Sequence, residues 1–232
     1  MSELVCFKCG KCLTNETITR EHIPAKAFYT GLPEEYKVNL LTIPACLECN
    51  QAHAKIDETM RDAIGIMNDK NQDHEEITRK AVKSILRKSK FTNLFFDENG
   101  KVVAVNFELN NFLDSALKTH LGIFFAKYGV PIPENFDTRI VFEGKPFQDL
   151  HVYESEVVQK YGWEVIGHAD VFRYQIQDIN AAEDGSVFSK GDFRNSIMVL
   201  SVMVFYNQFK FYGVTVDTDF KRNLESAAGM NR

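Results

Sequence analysis

Two copies of the pattern Cys-x-x-Cys, CFKCG at residues 6–10 and CLECN at residues 46–50, enclose the segment TREHIP at residues 19–24. Each pattern places two thiols on one tight turn. Two such turns can supply the four sulfur ligands of a tetrahedral zinc site. The predicted ligands of one structural Zn²⁺ ion are the four cysteines of these patterns, Cys6, Cys9, Cys46 and Cys49.

A fifth cysteine, Cys12, makes the first pair ambiguous, because Cys6, Cys9 and Cys12 follow one another at intervals of three residues. We choose Cys6 and Cys9, since Gly10 comes next and can adopt the positive φ that turns the backbone towards the sulfurs. A redox function for one Cys-x-x-Cys pair is the alternative, but a redox pair does not require a second copy.

The composition is that of an ordinary globular protein, with 232 residues, 44% hydrophobic and 25% charged. The sequence contains no apolar run long enough for a membrane span and no signal-peptide pattern at the N-terminus. We therefore expect a cytoplasmic protein, in which paired cysteines bind metal more often than they form disulfides. The net charge of −5 argues weakly against a protein that coats nucleic acid over its whole surface.

Hydrophobic periodicity and turn residues predict helices and strands along the whole chain. A strand is expected at Ile18–Ile23, a helical turn at Ala25–Tyr29, and helices at about 50–67, 74–88 and 109–128. A hairpin is expected at Leu94–Phe96 and 102–107, around Asn99-Gly100. Further strands are expected at Arg139–Phe142, Trp163–Ile166, Val171–Ile179, Ser196–Tyr206 and Phe209–Val216, with Asn207-Gln208 as the last turn.

These elements predict an α+β fold in two parts. Residues 1–70 are expected to form a zinc-bound domain of treble-clef type, in which a knuckle and a hairpin lead to a second knuckle and a helix. Such a short segment buries too little apolar surface to fold readily by itself, so zinc is expected to stabilise it. Residues 71–232 are expected to form helices followed by a mainly antiparallel, β-rich part that recognises a substrate or partner.

The order of these motifs resembles the HNH endonuclease family, which has a ββα-metal fold. The similarity covers residues 5–61 and consists of Cys6-x-x-Cys9-Gly10, Thr19–Lys26, Asn39-Leu40 and Pro44–Asn50. Within this stretch, an acid and an imidazole lie side by side at Glu21 and His22, which a purely structural zinc site does not require.

The resemblance implies a function for each matching residue. His22 would be the general base that activates water, and Glu21, where the family often has Asp, would bind a catalytic Mg²⁺ or Mn²⁺ ion. Asn39 would orient the histidine. Asn50 stands at the last motif position, commonly His, so either Asn50 or His53 would complete the second metal site.

This chemistry suits the residue types. A neutral imidazole accepts a proton near pH 7, and a hard cation bound by oxygen ligands stabilises a phosphate undergoing attack. Arg20, Lys26 and Lys55 flank the motif as phosphate contacts, although solvated side chains would give the same pattern.

Two hypotheses follow. The first is an endonuclease that hydrolyses DNA, for which a homodimer would suit a double-strand cut. The second is a non-catalytic zinc module that binds DNA or protein.

Overall fold

The computed structural model describes residues 4–67, 75–87, 94–99, 102–105, 109–143, 148–181, 187–219 and 222. The helices are α1 (Leu47–Ala52), α2 (Ala54–Met67), α3 (Glu75–Arg87), α4 (Leu109–Tyr128) and α5 (Gln148–Tyr161). The strands are β1 (Ile18–Ile23), β2 (Leu41–Cys46), β3 (Leu94–Phe96), β4 (Val102–Val105), β5 (Phe136–Phe142), β6 (Glu164–Val165), β7 (Phe172–Ala181), β8 (Val187–Phe188), β9 (Met198–Phe205) and β10 (Phe209–Asp217).

The first part of the chain is a knuckle, a two-stranded sheet and two helices. The knuckle is closed by a β-bridge between Val5 and Cys12. Strands β1 and β2 pair antiparallel in an unbroken register from Ile18 opposite Cys46 to Ile23 opposite Leu41. Since α1 begins directly where β2 ends, the second Cys-x-x-Cys lies at the strand–helix junction.

The helix expected at about 50–67 is present, but it begins earlier and is divided at His53 into α1 and α2. It begins at Leu47 because the Cys46 side chain caps it, accepting a hydrogen bond from the backbone N–H of Cys49 (3.5 Å). The expected helical turn at Ala25–Tyr29 is a 3₁₀ turn at Lys26–Tyr29.

The last part of the chain is a six-stranded antiparallel sheet in the order β5-β10-β9-β7-β6, with β8 paired to the end of β7. The prediction of an α+β fold with antiparallel sheets is confirmed. The β9–β10 turn lies one residue earlier than expected, because Tyr206 and Asn207 have the left-handed φ values, 51° and 57°, typical of tight hairpins.

Strand β2, helix α5 and the short strand β8 have no counterpart among the predicted elements. Val157 of α5 is buried against the sheet, but most of its described neighbours along the helix are exposed or half-buried. The apolar stripe of α5 is therefore narrow, which weakens its helical periodicity. Parts of the predicted elements lie outside the described residues. These parts are Gly100 in the expected β3–β4 turn, residues 106–107 of that hairpin, and the expected helix ends at residues 74 and 88.

Helix α4 lies between the first part of the chain and the sheet, contacting β1, β2 and α2 on one side and β5, β9 and β10 on the other. It passes very close to β1, because a Cβ at Gly122 would lie 2.4 Å from Ile23 Cγ1. It passes equally close to β10, where a Cβ at Gly213 would lie 2.2 Å from His120 Nδ1. Two glycines thus permit α4 to pack tightly against both neighbours.

The imidazole of His120 connects α4 to the sheet. It is fully buried, with Nδ1 2.7 Å from Ser201 Oγ and Nε2 2.8 Å from Thr215 Oγ1. Burial lowers the pKa of His120 to about 3, so the side chain is neutral at physiological pH. Its two hydroxyl partners satisfy both ring nitrogens, which indicates a structural function.

One hydrophobic core includes side chains from both expected domains. Phe28 and Tyr29 belong to the same cluster of buried residues as Phe205 and Tyr206. The Tyr29 hydroxyl donates a hydrogen bond to the Ile166 carbonyl (2.6 Å), and the Tyr206 hydroxyl donates to the Phe28 carbonyl. The division at residue 70 stays a prediction, but the two parts pack through a continuous core. Among the described residues, no helix combines the length and the apolarity that crossing a membrane requires.

Candidate metal centre and adjoining cleft

The four predicted zinc ligands come together at the junction of the knuckle, β2 and α1. The Sγ atoms of Cys6, Cys9, Cys46 and Cys49 all lie within 4.8 Å of one another. Cys9 Sγ and Cys46 Sγ are 3.9 Å apart. A tetrahedron with Zn–S bonds of 2.3 Å has sulfurs about 3.8 Å apart, so this spacing fits a zinc ion.

Local hydrogen bonding favours the thiolate form in one of these cysteines. Burial raises the pKa of Cys6, but backbone N–H groups, including those of Cys9 and Cys46, outweigh it and lower the pKa to about 7. Burial and the neighbouring sulfurs instead raise the pKa of Cys49. Four thiolates this close together repel one another, so the cluster needs a cation to be fully ionised. Thiolate ligands favour a soft or borderline metal such as zinc.

Of the two overlapping pairs, Cys6/Cys9 and Cys9/Cys12, the structure brings the first into the cluster. Cys12 lies opposite Val5 in the bridge that closes the hairpin and does not belong to the cluster. Gly10 has the expected positive φ, 69°, and its N–H donates to the Cys6 carbonyl (3.0 Å). The first Cys-x-x-Cys therefore turns as its glycine predicts.

An open cleft of about 510 Å³ lies next to the cluster, between β1 and the α1–α2 helices. It is lined by Glu21, Ala25, Lys26, Ala27, Asn50, Ala54, Lys55, Asp57 and Glu58. Asn50 of α1 and Asp57 of α2 both line the cleft, although His53 separates the two helices. Asn50 Nδ2 donates to Thr19 Oγ1 (2.9 Å), tying the start of the helix to β1.

Beneath the cleft floor, Lys118 of α4 joins two carboxylates. Its Nζ is 3.1 Å from Glu21 Oε1 and also donates to Asp57 Oδ2. The second oxygen of Asp57 accepts a hydrogen bond from Ser115 Oγ (2.6 Å). All four residues are buried. Burial raises the pKa of Glu21 and outweighs the opposing effect of the Lys118 charge.

His22 follows Glu21 on a strand whose pairing is unbroken, so the two side chains point to opposite faces of β1. His22 is half-buried and is not among the cleft-lining side chains. Burial, followed by the charges of Lys26 and Lys118, lowers the pKa of His22 below its ordinary value. The imidazole is therefore neutral near pH 7, as a general base must be.

The other predicted site residues lie in different surroundings. Asn39 is exposed in the turn before β2, with φ 54°. Within the described part of the chain, neither Asn39 nor His22 has a side-chain hydrogen-bond partner. His53 ends α1 and is buried, and its Nε2 accepts a hydrogen bond from Lys8 Nζ (2.6 Å). Of the two alternatives for the last ligand, the cleft contains Asn50 and not His53.

The predicted phosphate contacts are all exposed, and two of them line the cleft. Lys26 and Lys55 stand on its rim, whereas the exposed Arg20 precedes Glu21 and so points to the other face of β1.

Asp57 and Lys118 were not among the residues predicted from the sequence. On the single helix expected at about 50–67, Asp57 follows Asn50 by two turns, and that spacing could have indicated it. No local pattern could have indicated Lys118, which is 97 residues from Glu21.

The resemblance also implies a Mg²⁺ or Mn²⁺ ion at Glu21. Carboxylate oxygens suit such a hard cation. Lys118 Nζ, however, lies between Glu21 and Asp57 and contacts both, so the donor set does not fit a divalent ion while Lys118 is in place.

Comparisons of the chain with protein-family models, curated proteins and solved structures find no match in any of the three.

Proposed function

We propose that this protein hydrolyses phosphodiester bonds of nucleic acid, most simply DNA, at the cleft between β1 and the α1–α2 helices. The observation that carries the proposal is the composition of this cleft: Glu21, Asn50 and Asp57 gather beside the four-cysteine cluster, with Lys26 and Lys55 on the rim. The zinc cluster would hold β1 and α1 in this arrangement.

His22 is the proposed general base. Its lowered pKa leaves the imidazole free to take a proton from water, and the resulting hydroxide attacks phosphorus. The bond between phosphorus and the leaving oxygen then breaks, and that oxygen takes a proton from solvent. The charge of Lys26, which lines the cleft, contributes to lowering the pKa of His22, whose side chain lies on the face of β1 opposite Glu21.

The test is cleavage of supercoiled plasmid by zinc-loaded protein, with and without added Mg²⁺ or Mn²⁺. We expect His22→Ala to lose at least about a hundredfold in rate, the usual contribution of a general base. The matched control is His151→Ala, which removes a partly exposed histidine from α5. Equal cleavage by wild type and His22→Ala, with zinc content unchanged, would discard the assignment of the base.

A second candidate is a non-catalytic zinc module that binds nucleic acid through Lys26 and Lys55. The observation that favours it is the ion pairing of Glu21 and Asp57 with Lys118, which satisfies both carboxylates without a ligand. This candidate predicts a gel shift with DNA that weakens in Lys26→Ala and Lys55→Ala, together with no nicking under any metal condition. Nicking that depends on His22 contradicts it.

A further inference from the structure

We infer that the ammonium group of Lys118 occupies the cation position of this site. In a metal-bound site of this type, a divalent ion would be held between Glu21 and a helix ligand. Here Lys118 Nζ is held between Glu21 and Asp57, one residue from β1 and the other from α2. The inference rests on the proposed function for the location of the site, but its test measures metal binding and does not require cleavage.

The burial of these groups gives the ammonium a definite function. Lys118 is 1% exposed, and Glu21 and Asp57 are 7% and 3% exposed. Two carboxylates buried this close together repel each other unless a positive charge compensates them, and removing one member of a buried ion pair is strongly destabilising. Lys118 supplies that charge from within the chain.

The hydrogen bonding leaves little coordination capacity for a second cation. Lys118 binds one oxygen of Asp57, and Ser115 donates to the other. Magnesium requires close to six oxygen ligands at about 2.1 Å, and calcium requires six to eight. A divalent ion held between the two carboxylates would have to displace Lys118 Nζ from that position.

The packing of α4 opposes that displacement. Gly122 lies one turn after Lys118 on the same helix face and packs directly against Ile23 of β1. Because Ile23 follows Glu21 by two residues, this contact fixes the distance between the ammonium and the carboxylate. The site therefore carries a built-in cation, and we expect the wild-type protein to bind no divalent ion at Glu21 and Asp57.

The experiment compares Mn²⁺ binding by the full-length, zinc-loaded wild type and by Lys118→Met, measured as loss of the free-Mn²⁺ signal in electron paramagnetic resonance. Removing Lys118 leaves two unpaired carboxylates. We expect Lys118→Met to bind one additional Mn²⁺ ion at least about tenfold more tightly than any site in the wild type. Adding Asp57→Asn should abolish that site. Lys127→Met, which removes another lysine of α4 that does not contact these carboxylates, should behave as the wild type.

A thermal melt gives a second measurement. Lys118→Met should melt below the wild type in the absence of Mn²⁺ and recover part of the loss when Mn²⁺ is added, because binding to the folded state stabilises it. The wild type should show no such recovery.

One Mn²⁺ ion in the wild type that Asp57→Asn or Glu21→Gln removes would overturn the inference. So would a Lys118→Met variant that folds without gaining a site. If Lys118→Met does not fold, the wild-type titration decides the matter. These outcomes are separate from the proposed function, since an absence of nicking leaves the Mn²⁺ measurements unaffected.

Discussion

Replacing Cys46 with serine should disrupt both the metal site and the fold around it. Cys46 Sγ lies 3.9 Å from Cys9 Sγ and caps α1 through the Cys49 N–H. Structural zinc contributes about 10–16 kcal/mol in small zinc-binding peptides, or roughly 2.5–4 kcal/mol for each of four ligands. Cys46→Ser should therefore weaken zinc binding by about a hundredfold or more.

Zinc affinity can be measured by competition with a chromogenic chelator, and the fold by thermal melting with and without chelator. The matched control is Cys12→Ser, which removes an exposed thiol from the same knuckle without touching the cluster. We expect Cys12→Ser to keep one zinc per chain and the wild-type melting temperature. Equal zinc affinity in the two variants would refute the four-cysteine assignment.

Two further predictions concern pH. If His22 is the base, the cleavage rate should fall with decreasing pH only below pH 6.5, because the pKa of His22 is lowered. Lys26→Ala removes a positive charge that lowers this pKa, so the fall in rate should begin at a higher pH in that variant. A fall that begins at a lower pH would contradict this. His120 has a pKa of about 3 when folded, so below pH 6.5 the unfolded chain binds a proton that the folded chain does not, and stability falls as pH falls. Between pH 7 and 4.5 the free energy of unfolding should fall by about 3 kcal/mol from this cause. Urea unfolding of His120→Gln should not show this fall. An equal pH dependence of the unfolding free energy in the wild type and the variant would show that His120 is not responsible.

The elements that were predicted well are those in which local pattern and tertiary packing agree. Helix α4 lies at 109–128 as expected, and the Cys-x-x-Cys turns meet as their spacing indicates. Helix α5 was missed because it buries little of its surface. His53, one of the two alternatives for the last metal ligand, instead ends α1, where its Nε2 accepts a hydrogen bond from Lys8 Nζ.

The sequence by itself determined which four cysteines form the cluster, because they lie in two short turns whose geometry is local. It also indicated the strand that carries Glu21 and His22. Only the tertiary structure decided what Glu21 contacts. Lys118 reaches it because α4 packs between β1 and the sheet, and that packing depends on the absence of a side chain at Gly122 and Gly213. Contacts between residues almost a hundred positions apart leave no periodic pattern in the sequence, so the charge balance of the cleft emerges only when the chain is folded.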